Sequence, residues 1–352
     1  MNAALTQLST LGWSHFYQQQ LSLDEWQSTQ PARVFALNRH LLEVVGSSGP
    51  LRVELPAAWQ KRPVEELPTV GDWLLLGDQG QPLRLLERKS LFKRMASGLE
   101  TRVQLMAANV DTLFVVTSCN QDFNLSRLER YLALALDAGV EPVVVLTKTD
   151  LVEASDEFLT QAARLRPGLA VVTVNARSPD SCGQLRDWLG CGQTVALVGS
   201  SGVGKSTLVN TLCRAELQLT GSIRTTDDKG RHTTTARSLH LLPHGGVLID
   251  SPGLRELQLS DCDNGLASLF EEIEELARQC RFNDCRHQGE IGCAVTAAAD
   301  RGDIDDRRLV NYLKLRAEQE RTAETLLEKR RRDRSFGRMC KSAKKSKNRD
   351  YP

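Results

Sequence analysis

The residues GSSGVGKS at 199–206 have the types and spacing needed to hold phosphate. Gly199, Gly204, Lys205 and Ser206 fit G-x-x-x-x-G-K-[S/T], between a strand-like run and a helix-like run. Gly202 and Gly204 let the backbone turn so that successive N–H groups face phosphate oxygens. Ser200, Ser201, Val203 and Thr207 complete the candidate loop. The helix start adds partial positive charge. Lys205 would place a point charge on the β- and γ-phosphates, and Ser206 a hydroxyl on Mg²⁺. Alone, this loop indicates only a nucleoside triphosphatase or a kinase.

The base is read elsewhere. TKTD, formed by Thr147, Lys148, Thr149 and Asp150, follows the apolar run EPVVVL. The Asp150 carboxylate can accept from both N1–H and the exocyclic amine of guanine, a donor pair that adenine lacks. Lys148 would lay its stem along the base plane. Thr147 stands where guanine readers usually carry Asn, so fewer hydrogen bonds and a lower guanine affinity are expected. Asn175 and Ala176 stand where a second base-contacting loop is expected, one that usually reads Ser-Ala.

LIDSPG supplies Asp250 and Gly253, the Asp-x-x-Gly pattern of a γ-phosphate and magnesium sensor. Asp250 would hold Mg²⁺, and the Gly253 N–H would face the γ-phosphate. One threonine of GRHTTT, Thr234 or Thr235, would complete the magnesium shell. The residue after Gly253 is Leu254, which cannot orient water as a Gln would. His232 is the candidate for that role, by accepting a proton or hydrogen bond from water. The bland alternative is a surface histidine on a mobile loop.

The chain has nine cysteines. Cys280, Cys285 and Cys293 cluster with His287 in CRFNDCRHQGEIGC, and the others are scattered. Three sulfurs and one imidazole suit one tetrahedral, structural Zn²⁺. An odd count with a single cluster fits a reducing cytoplasm better than a disulfide framework.

The 352 residues carry a net charge of only +1, unevenly spread. The stretch 329–349 holds eleven Lys and Arg against one Asp. Such a block is either a nucleic-acid-contacting tail or a solvated one. No apolar run approaches membrane-spanning length, and no secretion signal is recognisable at the N-terminus. A cytoplasmic protein, expected to be monomeric, follows.

Behind these residues lie the elements that must position them. Residues 1–32 read as an N-terminal extension with a short amphipathic helix carrying Leu11, Trp13, Phe16 and Leu21. Five short strands with turn signals between them follow over 33–92, as in an OB-fold or another small β-domain. Over 93–256 strands alternate with helices, predicting a parallel sheet wound on both faces. Residues 257–335 read as helical, with long helices at 264–280 and 303–332, and 336–352 as a basic tail. The site loops run base reader, second base loop, phosphate loop, threonine switch, Asp-x-x-Gly switch. That is a cyclic shift of the usual order, which packed strands tolerate.

Together these features resemble the circularly permuted GTPases called ribosome small-subunit-dependent GTPase A. The resemblance is carried over about 33–335 by AANVDTLFVVTSCNQDFNLSRLERYLALALDAGVEPVVVLTKTDL, GSSGVGKSTLVN, GRHTTT and DSPGLRE. It implies an OB-fold barrel, a permuted P-loop GTPase domain and a zinc-binding helical domain. It also implies GTP hydrolysis to GDP stimulated by the small ribosomal subunit, contact with 16S rRNA, and a role in late subunit maturation. Two other classes compete: an RNA-binding module whose nucleotide only stabilises the fold, and a metabolic P-loop kinase. Asp150 and the Asp-x-x-Gly switch argue against the kinase.

Overall fold

The computed structural model describes residues 7–38, 41–96, 102–220, 238–242, 245–250 and 262–322. By compactness the chain divides into Met1–Met95 with Val103–Leu257, and Ala96–Arg102 with Gln258–Pro352.

Alternating apolar residues and tight turns produce the first five strands: β1 (Gln30–Asn38), β2 (Leu41–Gly46), β3 (Gly49–Glu54), β4 (Trp73–Leu76) and β5 (Pro82–Leu85). Each matches an expected strand within a few residues. The antiparallel path β3-β2-β1-β4-β5 is that of a partly open OB-type barrel. Val34, Leu42, Val44, Val53 and Leu74 fill its inside.

The N-terminal segment is not one amphipathic helix. It folds as a turn of helix at 7–10, then α1 (His15–Gln18) and α2 (Leu23–Ser28). A Ser22–Glu25 capping box starts α2. The segment packs on the barrel wall, where the Trp13 and Trp73 rings meet edge to face at 4.9 Å. Beneath them Arg33 is 1% exposed and donates to the carbonyls of Leu11, Gly71 and Asn109 at 2.5, 3.1 and 3.1 Å. Three parts of the chain thereby hang on one buried cation.

A separate hairpin, β6 (Leu91–Ala96) with β7 (Arg102–Ala108), leads into the main sheet. Its elements run β8 (Thr112–Ser118), α3 (Leu125–Asp137), β9 (Glu141–Thr147), α4 (Ser155–Ala163), β10 (Ala170–Thr173), α5 (Pro179–Cys182), β11 (Thr194–Val198), α6 (Lys205–Thr220), β12 (Ser238–Leu241) and β13 (Val247–Asp250). The spatial order is β10-β9-β8-β11-β13-β12, parallel from β10 to β13. β8 and β11 are buried along their whole length, as parallel strands covered on both faces must be. The antiparallel β12 was not foreseen, because four residues of SLHL carry too little pattern. It pairs with β13 and, at Ala36–Ser238, with barrel strand β1.

The second unit holds α7 (Asp263–Leu269), α8 (Glu271–Ala277), α9 (Ala294–Asp300) and a helix over 306–322. The long helix expected over 264–280 is broken at Phe270, whose φ of −113° and ψ of 38° leave the helical region. Phe270 is fully buried, 5.4 Å from the Tyr312 ring and 4.7 Å under the Arg308 guanidinium. Burying that ring outweighs continuing the helix.

Candidate functional site

Parallel strands leave their C-terminal ends, and the loops that follow, along one edge of the sheet. The loops after β9, β10 and β11 meet there. Thr147, Lys148 and Asp150, Asn175 and Ala176, and Gly202, Gly204 and Thr207 line one cavity of about 220 Å³. Residues more than fifty positions apart in the sequence thus share one pocket, in the arrangement that the cyclic shift predicts.

Each loop is held by a specific contact. In the phosphate loop Gly199 has φ 142° and passes so close to β8 that a Cβ would stand 2.1 Å from the Val116 carbonyl oxygen. Only glycine fits there. Lys205, in the first turn of α6, folds back and donates to the carbonyls of Gly199 at 2.7 Å and Ser200. Ser201, Ser206 and Thr207 are exposed and Val203 is buried.

Thr147 is fully buried, and its hydroxyl lies 2.5 Å from the Val203 carbonyl and 3.2 Å from that of Thr117. It therefore ties the base-reading loop to the phosphate loop. Next to it Lys148 takes the left-handed conformation, φ 58°, unusual for a non-glycine residue, and turns the chain into the short helical turn Thr149–Leu151. The Asp150 side chain stands exposed there.

Asn175 accepts the Arg177 N–H on its own Oδ1 at 2.9 Å, while its N–H donates to Ser181 Oγ at 2.9 Å. The Ala176 carbonyl accepts from Thr211 Oγ1 of α6 at 2.7 Å. The second base loop is thus fastened to the phosphate-loop helix. Leu151, 72% exposed, and Arg177 also line the cavity, although no motif named them. Their one signal in the sequence is that each directly follows a motif.

Asp250 closes β13, one residue beyond the Ala196–Ile249 pairing with β11, so its backbone reaches the edge where Ser206 sits. A hydroxyl and a carboxylate are hard oxygen donors of the kind Mg²⁺ takes. His232, Thr234, Thr235, Gly253 and the basic tail lie outside the described residues.

In the second unit the ligand atoms of Cys280, Cys285, His287 and Cys293 all lie within 4.8 Å of one another. His287 Nδ1 is 3.6 Å from Cys280 Sγ and 3.5 Å from Cys293 Sγ, and the two sulfurs are 3.9 Å apart. With Zn–S of about 2.3 Å and Zn–N of about 2.0–2.1 Å, a tetrahedron has edges of about 3.6–3.8 Å. The cluster is compatible with zinc.

His287 too adopts φ 58°. Glu290, which the sequence did not flag, accepts the N–H groups of Arg286 at 2.8 Å and Gln288 at 2.7 Å, bracketing His287. Its own backbone N–H first, and then those two amides, hold the Glu290 carboxyl below the usual range. Cys293 caps α9, and burial there works against its thiolate. The Thr296 hydroxyl and N–H and the His287 ring outweigh that and bring the thiol down to about 6, a thiolate suited to a metal.

Residues 85–260 match the sequence model of the family described as RsgA GTPase. The Vibrio vulnificus protein named small ribosomal subunit biogenesis GTPase RsgA 2 is 50% identical over 340 residues, 97% of this chain and 96% of its own. The small ribosomal subunit biogenesis GTPase RsgA of Mesorhizobium japonicum is 48% identical over 319 residues, 90% of each chain. Among solved structures, YjeQ from Thermotoga maritima superposes with a TM-score of 0.61 at 24% identity, covering 82% of this chain and 97% of its own. YloQ, described as a circularly permuted GTPase, gives 0.59 at 22%, covering 83% and 95%. At these identities the solved structures speak for the fold.

Proposed function

The chain belongs to the RsgA GTPase family, and from that premise we propose that it is a GTPase that binds the small ribosomal subunit through 16S rRNA and assists its late maturation in the cytoplasm. The observation that carries this reading is the single cavity shared by the TKTD, Asn-Ala and phosphate loops. In this reading the protein works as a monomer. Residues 1–32 are an extension, 33–92 the barrel, 93–256 the GTPase domain, 257–335 the zinc domain and 336–352 a basic tail.

The residues divide the work by their chemistry. Asp150 accepts from guanine, with Lys148 and Thr149 shaping the turn that presents it and Asn175 and Ala176 bordering the base. Gly199, Ser200, Ser201, Gly202, Val203 and Gly204 offer backbone N–H groups to the phosphates. Lys205 leaves its own loop carbonyls for the β- and γ-phosphates, and Thr207 borders them. Ser206, Asp250 and either Thr234 or Thr235 would hold Mg²⁺, which neutralises charge on the phosphate oxygens when bound.

In hydrolysis a water oxygen bonds to the γ-phosphorus as the β–γ bridge bond breaks. The electron pair stays on the GDP oxygen, and the water proton ends on phosphate. His232 positions the water, and the Gly253 N–H meets the γ-phosphate. Cys280, Cys285, His287 and Cys293 hold one structural Zn²⁺. With Leu254 in place of Gln, turnover on the free protein is slow, and subunit binding speeds it by ordering the switch.

The test is co-sedimentation of the full chain with small subunits, loaded with GDP or a non-hydrolysable GTP analogue, alongside GTP turnover with and without subunits. Stronger retention with the analogue and faster turnover on the subunit are expected. Equal retention with unchanged turnover would leave an RNA-binding module instead.

A further inference from the structure

Lys205 is not the only cation on the phosphate loop. Arg127 of α3 donates from Nη1 to the Ser200 hydroxyl, while Lys205 Nζ donates to the Ser200 carbonyl. Two positive side chains from separate helices therefore converge on one loop residue. No carboxylate pairs with Arg127 among the described residues. The placement is also unfavourable for the helix. Arg127 is the third residue of α3, in the first turn, where the helix dipole opposes a cation. Its backbone N–H is already satisfied by the Asn124 cap at 2.9 Å, so the side chain contributes nothing to starting the helix. A guanidinium parked on a neutral hydroxyl of the phosphate loop, at a cost to the local helix, marks a place where an anion is to be received.

We propose that Arg127 is a catalytic residue that moves from the Ser200 hydroxyl onto the γ-phosphate of bound GTP. This rests on the GTPase reading and deepens it. The Ser200 contact is a parking position on a neutral acceptor. A phosphate oxygen is a stronger acceptor for a guanidinium, and two can be gripped at once. As water attacks and the bridge bond breaks, charge spreads over the γ-phosphate oxygens, and a cation placed there stabilises the transition state more than the bound ground state. The chain would thus carry its arginine in cis, on the helix after the first strand of the parallel sheet. It would supplement a switch in which Leu254 offers no hydrogen bond to water.

The experiment compares the full-length chain with Arg127→Ala and Arg127→Lys. It measures GDP affinity, single-turnover GTP hydrolysis, and the gain in GDP affinity when aluminium fluoride supplies a mimic of the transferring phosphoryl group. Arg127→Ala should bind GDP within about twofold of wild type, because GDP lacks the γ-phosphate. It should hydrolyse GTP at least about tenfold more slowly and lose the aluminium fluoride gain. Arg127→Lys should stay nearer the Ala variant, because an ammonium lacks the planar fork. Hydrolysis at the wild-type rate in Arg127→Ala overturns the proposal. So does a GDP affinity that falls in step with the rate, because the arginine would then only brace the loop. A wild-type chain that binds neither nucleotide overturns the GTPase reading along with it.

Discussion

The nucleotide cavity and the Cys₃His cluster are both built from residues on loops, yet the loops are ordered by opposite means. Around the cavity each loop leaves a strand of a parallel sheet whose central strands, β8 and β11, are buried throughout. It is pinned by backbone groups and small side chains: the Thr147 hydroxyl on the Val203 carbonyl, the Thr211 hydroxyl on the Ala176 carbonyl, Gly199 against Val116. The apolar layer beneath, with Phe114, Val145, Leu197 and Leu208, would hold these loops in place with no ligand bound. The metal loop has no such floor. Its large apolar residues, Phe282 and Ile291, are 49% and 82% exposed. Its order comes from the four ligand side chains and from the Glu290 carboxylate bracketing His287. One site is preorganised by its core; the other rests on the side chains of the cluster itself.

The comparison breaks most visibly where the metal is removed. Cys280→Ser, or a strong chelator, should abolish one bound zinc per chain. It should also unfold 278–293, since structural zinc contributes on the order of 10 kcal/mol to folding such loops. Metal content by atomic spectroscopy, and hydrogen exchange of that loop, read the effect. Amides of β9, within the buried sheet, should keep their protection. Loss of protection in both regions at once would erase the distinction.

Asp150→Asn should come next. An amide in place of the carboxylate presents a donor to a donor on guanine, and about 3 kcal/mol of GTP affinity should be lost, roughly a hundredfold. Xanthosine triphosphate, with a carbonyl where guanine carries its amine, should bind more tightly than GTP in this variant. Calorimetry with both nucleotides decides it, and unchanged preference would remove Asp150 from the base site.

Thr147→Val keeps the shape and removes the hydroxyl, leaving the buried Val203 carbonyl without that donor. About 1–2 kcal/mol should be lost, as roughly tenfold weaker binding of GDP and GTP alike. A change in guanine selectivity with no change in overall affinity would show instead that Thr147 reads the base. The smallest effect sharpens the other side. Glu290→Ala should cost about 1 kcal/mol or less, seen as modestly faster zinc loss to a chelator. No change at all would mean that the ligands order the loop alone.

Much of this was legible in the residues. The five barrel strands and the alternation behind the parallel sheet appear as apolar periodicity and turn signals, because burial on one or both faces constrains every position of a strand. The phosphate loop and the metal spacing are legible because backbone turns and ligand geometry tolerate few residue types. What went unread was short or set by distant partners. α9 and β12 are too brief to carry a period. Nothing local in EEIEEL tells that Phe270 will break its helix to reach Tyr312.

The sequence by itself determined which functional groups are available: the Lys205 ammonium in a glycine loop, the Asp150 carboxylate, the sulfur and imidazole donors of the cluster. Those properties belong to functional groups and to spacings within a few residues. Tertiary structure alone decided that loops remote along the chain close one cavity, that Thr147 serves as a tie between two of them, and that Arg127 reaches Ser200. Strand order and helix packing set those distances, and they depend on contacts across the whole sheet that no local pattern encodes.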